Sequence, residues 1–131
     1  MALLLVPCCV FAEVLVVAGA NSNIVTLSKN QVSDVFSGKV ASLQDGSMVT
    51  LIDQPESSPI RDEFYLKVAN KSAAQAKAHW AKLYFTGRGV PPREGADYDD
   101  VKKKLNSMPD AISYIDPALL DSSVKVVFVV Q

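Results

Sequence analysis

Apolar residues recur along the chain at spacings typical of helices, and polar residues mark the helix ends. Between Ser28 and Gly38 the apolar residues lie on one helical face. Ser28 and Gln31 have the spacing of a capping box, and Gly38 is placed to end the helix. Further helices are predicted from Pro59 to Ala69, from Ser72 to the TGRG sequence at 86–89, and from Asp97 to Met108.

Four short apolar runs, rich in β-branched residues and bounded by turn residues, predict buried strands. They are VLVVA at 14–18, MVTLI at 48–52, AISYI at 111–115 and VKVVFVV at 124–130. Because these strands alternate with helices through short loops, the sequence predicts an α/β fold with a mostly parallel sheet flanked by helices.

Composition and charge narrow the classes of function. The 131 residues are 49% hydrophobic and 21% charged, which is typical of one globular domain. The net charge of −1 argues against a nucleic-acid partner. The basic run at 102–104 follows acidic residues at 97–100, and the dipole of a helix favours that order of charges.

The first twelve residues, MALLLVPCCVFA, contain no charge. They predict a secretion signal removed before Glu13, so that the domain is 13–131, although no Lys or Arg precedes the apolar run. The alternative is a buried N-terminal strand or helix. A transmembrane span is not predicted, because Glu13 ends the run well short of ~20 residues. Removal of the signal would also remove Cys8 and Cys9, leaving no thiol chemistry.

No arrangement of residues in the sequence indicates catalysis or a cofactor. The one histidine, His79, lies in the middle of a predicted helix, and no serine lies in a nucleophile elbow. Phosphate-cradling glycine motifs are also missing from the sequence. We therefore expect a protein that binds rather than an enzyme.

Two places carry groups suited to binding an anion. Ser57 and Ser58 precede a helix start, where backbone N–H groups and the helix dipole favour negative charge. Arg88, between two glycines, presents a guanidinium able to grip an oxyanion through two hydrogen bonds. The alternatives are a serine that only caps the helix and a glycine-rich turn.

Four segments resemble phosphate ABC-transporter substrate-binding proteins, above all the short, stand-alone members that carry a leader peptide. They are LSKNQVSDVFSGKV at 27–40, VTLIDQPESSPIRDEFY at 49–65, FTGRG at 85–89 and PDAISYID at 109–116. The resemblance runs from about residue 13 to 130. It implies one lobe of a type 2 periplasmic binding protein, located in the periplasm.

The resemblance also implies a ligand loop, which in that family reads approximately R-x-x-x-S-G-T. Here Ser57 keeps the serine, Ser58 and Pro59 replace the glycine and threonine, and Asp53 replaces the arginine. A carboxylate at Asp53 would repel phosphate, so tight binding of the usual kind is not expected. Either Arg61 or Arg88 would have to compensate.

The expectation is therefore that Ser57, Ser58 and one of Arg61 or Arg88 converge on a small oxyanion such as phosphate. Because a single lobe cannot close on a ligand, a homodimer or a second protein chain would supply the opposite wall. The rival interpretation is a periplasmic interaction module that keeps the lobe as a scaffold for a protein partner. An enzyme is the weakest alternative.

Overall fold

The computed structural model describes residues 13–43 and 45–131, so the predicted secretion signal at 1–12 lies outside the described residues. The elements in chain order are β1 (Val14–Gly19), α1 (Lys29–Phe36), β2 (Thr50–Asp53), α2 (Pro59–Ala69), α3 (Ala73–Phe85), β3 (Arg93–Glu94), α4 (Tyr98–Ser107), β4 (Ala111–Ile115), a 3₁₀ turn (Pro117–Leu119) and β5 (Val124–Val130). Each predicted helix and strand is present, and β3 is the short strand that the sequence pattern did not predict.

The strands form one sheet in the order β3-β2-β4-β1-β5. β2 runs parallel to β3 and β4, whereas β1 runs antiparallel to β4 and β5. The α/β class is confirmed, but the sheet is evenly mixed rather than mostly parallel. The pattern of a buried strand reads the same in both directions, so it carried no information on the direction of β1.

Helices cover both faces of the sheet. Val14, Val16 and Ala18 of β1 belong to a core cluster with α1, α2 and α3, whereas Leu15 and Val17 belong to a second cluster with α4. A strand covered on both faces needs apolar side chains at successive positions, which accounts for the unbroken run in β1.

Polar contacts join α1, α2 and α3, the three helices that cover one face of the sheet. Ser28 and Ser72 form the capping boxes predicted for α1 and α3. The hydroxyl of Ser33 donates to the carbonyl of Val68 at 2.7 Å, joining α1 to α2. The indole N–H of Trp80 donates to the carbonyl of Phe36 at 3.0 Å, joining α3 to α1.

In the part of the chain that the structure describes, no helix is both long and apolar enough to cross a bilayer. Within the same residues, no group of three or more His, Cys, Asp or Glu side chains is arranged to hold a metal ion.

Candidate functional site

The candidate site is the loop 54–58, which leaves the carboxyl end of β2 and leads into α2. Ser58 is the N-cap of α2 and Pro59 occupies the first turn, where its missing N–H costs nothing. The Ser58 side chain makes no capping hydrogen bond, unlike those of Ser28 and Ser72. Ser57 is exposed. Both hydroxyls therefore lie at the positive end of a helix without a capping role.

Asp53, the last residue of β2, turns its carboxylate into the protein. It is 4% exposed. One oxygen accepts a hydrogen bond from the Tyr65 hydroxyl at 2.7 Å, and the other accepts from the Tyr114 hydroxyl and, at 3.0 Å, from the backbone N–H of Gln54. Asp53 thus anchors the end of β2 to α2 and β4.

Arg61 is also buried, and its guanidinium lies beneath the loop. Nη1 donates to the carbonyl of Gln54 at 2.9 Å and to Glu94 Oε2 at 3.2 Å, while Nη2 lies 3.7 Å from Asp53 Oδ2. Nε has no hydrogen-bond partner among the described residues. The guanidinium therefore compensates Asp53 and holds the start of the loop to β3.

Asp53, Arg61, Tyr65 and Tyr114 form a buried cluster. The pKa values of these groups depend on burial and on the interactions between them. Burial raises the pKa of Asp53, and the hydrogen bonds from Tyr114 and Tyr65 together with Arg61 oppose that rise. Burial lowers the pKa of Arg61, but Asp53 and Glu94 outweigh it and the net shift is upward. The pKa values of Tyr65 and Tyr114 are raised by burial and by Asp53, so both remain hydrogen-bond donors at neutral pH.

Arg88 lies elsewhere. It is exposed, and its backbone N–H donates to the carbonyl of Leu83 at 2.8 Å, which helps to end α3. Arg88 lines a cavity of about 340 Å³, whereas Arg61 lines two others, of about 110 and 430 Å³. Trp80 and Pro91 contribute to the cavities of about 340 and 110 Å³. The loop 54–58 and the first turn of α2 therefore carry Ser57, Ser58 and Arg61, whereas Arg88 lines a different cavity.

The sequence pattern does not reveal most of the cluster around Asp53. The pattern predicts Tyr114 only as part of a buried strand, yet a tyrosine hydroxyl that is buried usually needs a hydrogen-bond partner. A tyrosine within a predicted buried strand is therefore the signal that could have indicated a polar partner for Tyr114. The pattern does not reveal Lys77 either. It forms an ion pair with Glu56 of the loop and lines the same small cavity as Arg61.

No protein-family model and no curated protein sequence matches the chain. Solved structures do match. One is a candidate phosphate ABC transporter substrate-binding protein with bound phosphate from Clostridium perfringens, with a TM-score of 0.67 and 19% identity over 88% of this chain and 45% of that one. The chain has the fold of one lobe of a phosphate-binding protein.

Two other structures agree. An ABC-type phosphate transport receptor from Vibrio cholerae matches with a TM-score of 0.66 and 15% identity over 88% of this chain and 46% of that one. PstS from Borrelia burgdorferi matches with a TM-score of 0.61 and 12% identity over 88% of this chain and 47% of that one. The chain therefore spans a little under half the length of these proteins, and the likeness concerns the fold.

Proposed function

We propose that the protein is a periplasmic solute-binding lobe that holds a phosphate-type oxyanion at the start of α2 and serves ABC transport. The observation that carries the proposal is the pair of serines at this helix start. Ser57 is exposed. Ser58 is the N-cap residue of α2, but its hydroxyl makes no capping hydrogen bond. That this fold is shared with a protein that has bound phosphate supports the choice of ligand.

Each residue of the predicted site has a distinct part in this proposal. Ser57 and Ser58 donate their hydroxyls to the anion, and the helix dipole adds its favourable field. Arg61 is a positioning residue, because its guanidinium holds the loop through the Gln54 carbonyl at 2.9 Å. Arg88 does not contact this ligand. Binding is weak, since no guanidinium grips the anion directly, and it involves no covalent chemistry.

A second wall completes the site in this proposal. A second copy of the chain or another protein would close over the serines and exclude water, which strengthens each hydrogen bond to the anion.

The rival function, a scaffold for a protein partner, has one observation in its favour. Tyr84 and Phe85, at the end of α3, are 59% and 85% exposed, and their rings lie 6.0 Å apart, centroid to centroid. Exposed aromatic side chains of this size are frequent at protein interfaces.

Thermal unfolding of the protein with phosphate, sulfate, molybdate and nitrate distinguishes the two functions. A specific ligand at ~100 times its dissociation constant adds about 2.7 kcal/mol of stability, which raises Tm by several degrees. Replacing both Ser57 and Ser58 by alanine should abolish the shift. Ser72→Ala, which removes a serine that caps α3, should lower Tm but leave the shift intact.

Phosphate and sulfate also stabilise proteins by being excluded from their surfaces. The decisive quantity is therefore the difference between the wild-type shift and that of the double alanine variant. If no anion produces such a difference at concentrations up to about ten millimolar, a range that covers weak binding, the binding proposal is wrong and the scaffold function is favoured.

A further inference from the structure

The cavity that contains Arg88 is a concave feature that the proposed function does not use. It lies between the end of α1, the segment 40–51 and the loop 88–93. Its volume of about 340 Å³ falls within the range of small-molecule sites. Trp80, the only tryptophan in the chain, forms part of its wall.

Three cations line this cavity: Lys39, Arg88 and Arg93. Among the described residues, no carboxylate oxygen lies within 4.0 Å of any of the three. One guanidinium nitrogen of Arg93 rests 3.9 Å from the sulfur of Met108. In a protein of net charge −1, Lys39 and Arg88 at one opening create a local positive potential that attracts an anion, and Arg93 adds a third positive charge nearby.

Acidic groups do not cancel this field from within the cavity. The lining includes no Asp or Glu. The carboxylate of Asp110 accepts a hydrogen bond from the Thr50 hydroxyl at 2.9 Å and lines a neighbouring cavity instead.

Apolar side chains make up much of the remaining wall. Val40, Met48 and Val90 are 43%, 62% and 78% exposed, and all three line the cavity. Large apolar groups that surround one concave opening indicate a binding surface, whereas single exposed apolar residues need no explanation. The wall therefore offers an apolar surface beside a cationic rim.

We propose that this cavity binds a small amphipathic organic anion, with the apolar body against Val40, Met48 and Trp80 and the acidic group between Lys39 and Arg88. Inorganic phosphate does not fit this chemistry, because it has no apolar part. The inference is independent of the proposed function, since Ser57, Ser58 and Arg61 do not line the cavity.

The single tryptophan provides the assay. 8-Anilinonaphthalene-1-sulfonate, an aromatic sulfonate, should bind with energy transfer from Trp80, and octanoate should displace it. Octanol, which matches octanoate in its apolar chain but is neutral, should compete at least about tenfold more weakly because it gains no charge-assisted hydrogen bond. Inorganic phosphate should not compete. Equal competition by octanol and octanoate would overturn the assignment of the cationic rim.

Two sets of variants locate the binding. The double change Lys39→Gln with Arg88→Gln should weaken displacement by octanoate about tenfold or more, and Ala41→Leu, which adds volume to the wall, should weaken binding of the probe itself. The matched control, Lys29→Gln with Lys103→Gln, removes the same charge from exposed positions outside the cavity and should change neither. If the control equals the test variant, the proposal is wrong.

A third variant keeps this proposal separate from the proposed function. Replacing Ser57 and Ser58 by alanine should leave binding of the probe and of octanoate unchanged. A loss of octanoate binding in that variant would show that the anion is held at the start of α2, and it would overturn the assignment to this cavity.

Discussion

Replacement of Arg61 by methionine tests the electrostatic account of the buried cluster. The substitution keeps an unbranched apolar stem but removes the charge that lies 3.7 Å from Asp53 Oδ2. Both side chains are only 6% exposed, so solvent screens the pair little. The Gln54 carbonyl also loses its donor at 2.9 Å.

The structure sets the size of the expected effect. Two unit charges about 4 Å apart attract by roughly 4 kcal/mol at an effective dielectric constant of ~20. Breaking a buried pair by removing one partner typically costs about 3–5 kcal/mol, because the remaining charge stays buried without compensation. We expect Arg61→Met to lose stability in this range at pH 8, which is a large fraction of the ~5–15 kcal/mol typical of a domain.

The loss should shrink as the pH falls. Without Arg61, the pKa of Asp53 rises further above its unfolded value, since burial is then less opposed. A carboxyl group with a raised folded-state pKa stabilises the protein below the unfolded pKa and loses that contribution as the pH rises through the folded pKa. The variant should therefore differ more from wild type at pH 8 than at pH 5, by up to about 1.4 kcal/mol per pH unit.

Urea unfolding followed by circular dichroism measures these differences, and a double-mutant cycle isolates the pair. Asp53→Asn combined with Arg61→Met should cost at least about 1 kcal/mol less than the sum of the single changes. Lys77→Met, which removes the partner of the exposed Glu56, serves as the control and should cost much less. The reasoning is refuted if Arg61→Met costs the same at pH 5 and pH 8 and adds to Asp53→Asn without coupling.

Three further predictions concern single positions. Because burial raises the pKa of Asp53, the stability of wild type relative to Asp53→Asn should fall as the pH is raised from about 4 to 8 in urea unfolding. Ser72→Ala removes the cap of α3 and should cost about 1 kcal/mol, seen as a Tm lower by about 3–5 °C, whereas an unchanged Tm would contradict its capping role. Gly38→Ala should cost about 1–3 kcal/mol by the same urea assay, because φ is +79° and the new Cβ would lie 2.4 Å from Leu83 Cδ1.

The sequence by itself determined the local structure of this protein. Ser28 with Gln31, and Ser72 with Gln75, begin helices where their spacing predicted. These features were readable because each depends on residues three or four positions apart, and such residues are neighbours in any helix. The unbroken apolar run of β1 likewise indicates a buried strand.

Only the tertiary structure decided which groups meet across long separations in the chain. Asp53 and Tyr114 are 61 positions apart, yet they meet in a buried cluster. Arg61 of that cluster also contacts the exposed Glu94, which is 33 positions away. No periodicity encodes such pairs, because they depend on strand order and on the side to which each strand turns its side chains. For Asp53 in particular, the sequence predicts a charge beside the ligand loop, whereas the carboxylate is buried in the core.

The same reason explains why Arg61 is buried and Arg88 is exposed. The sequence predicts that either Arg61 or Arg88 compensates Asp53 at one anion, and it does not distinguish between them. The packing of α3 places Trp80 between their cavities. A guanidinium beside a buried carboxylate is drawn inward to compensate it, while one in an exposed glycine-flanked turn remains free to meet a ligand. Burial, which the sequence does not specify for a single residue, decides between these two roles.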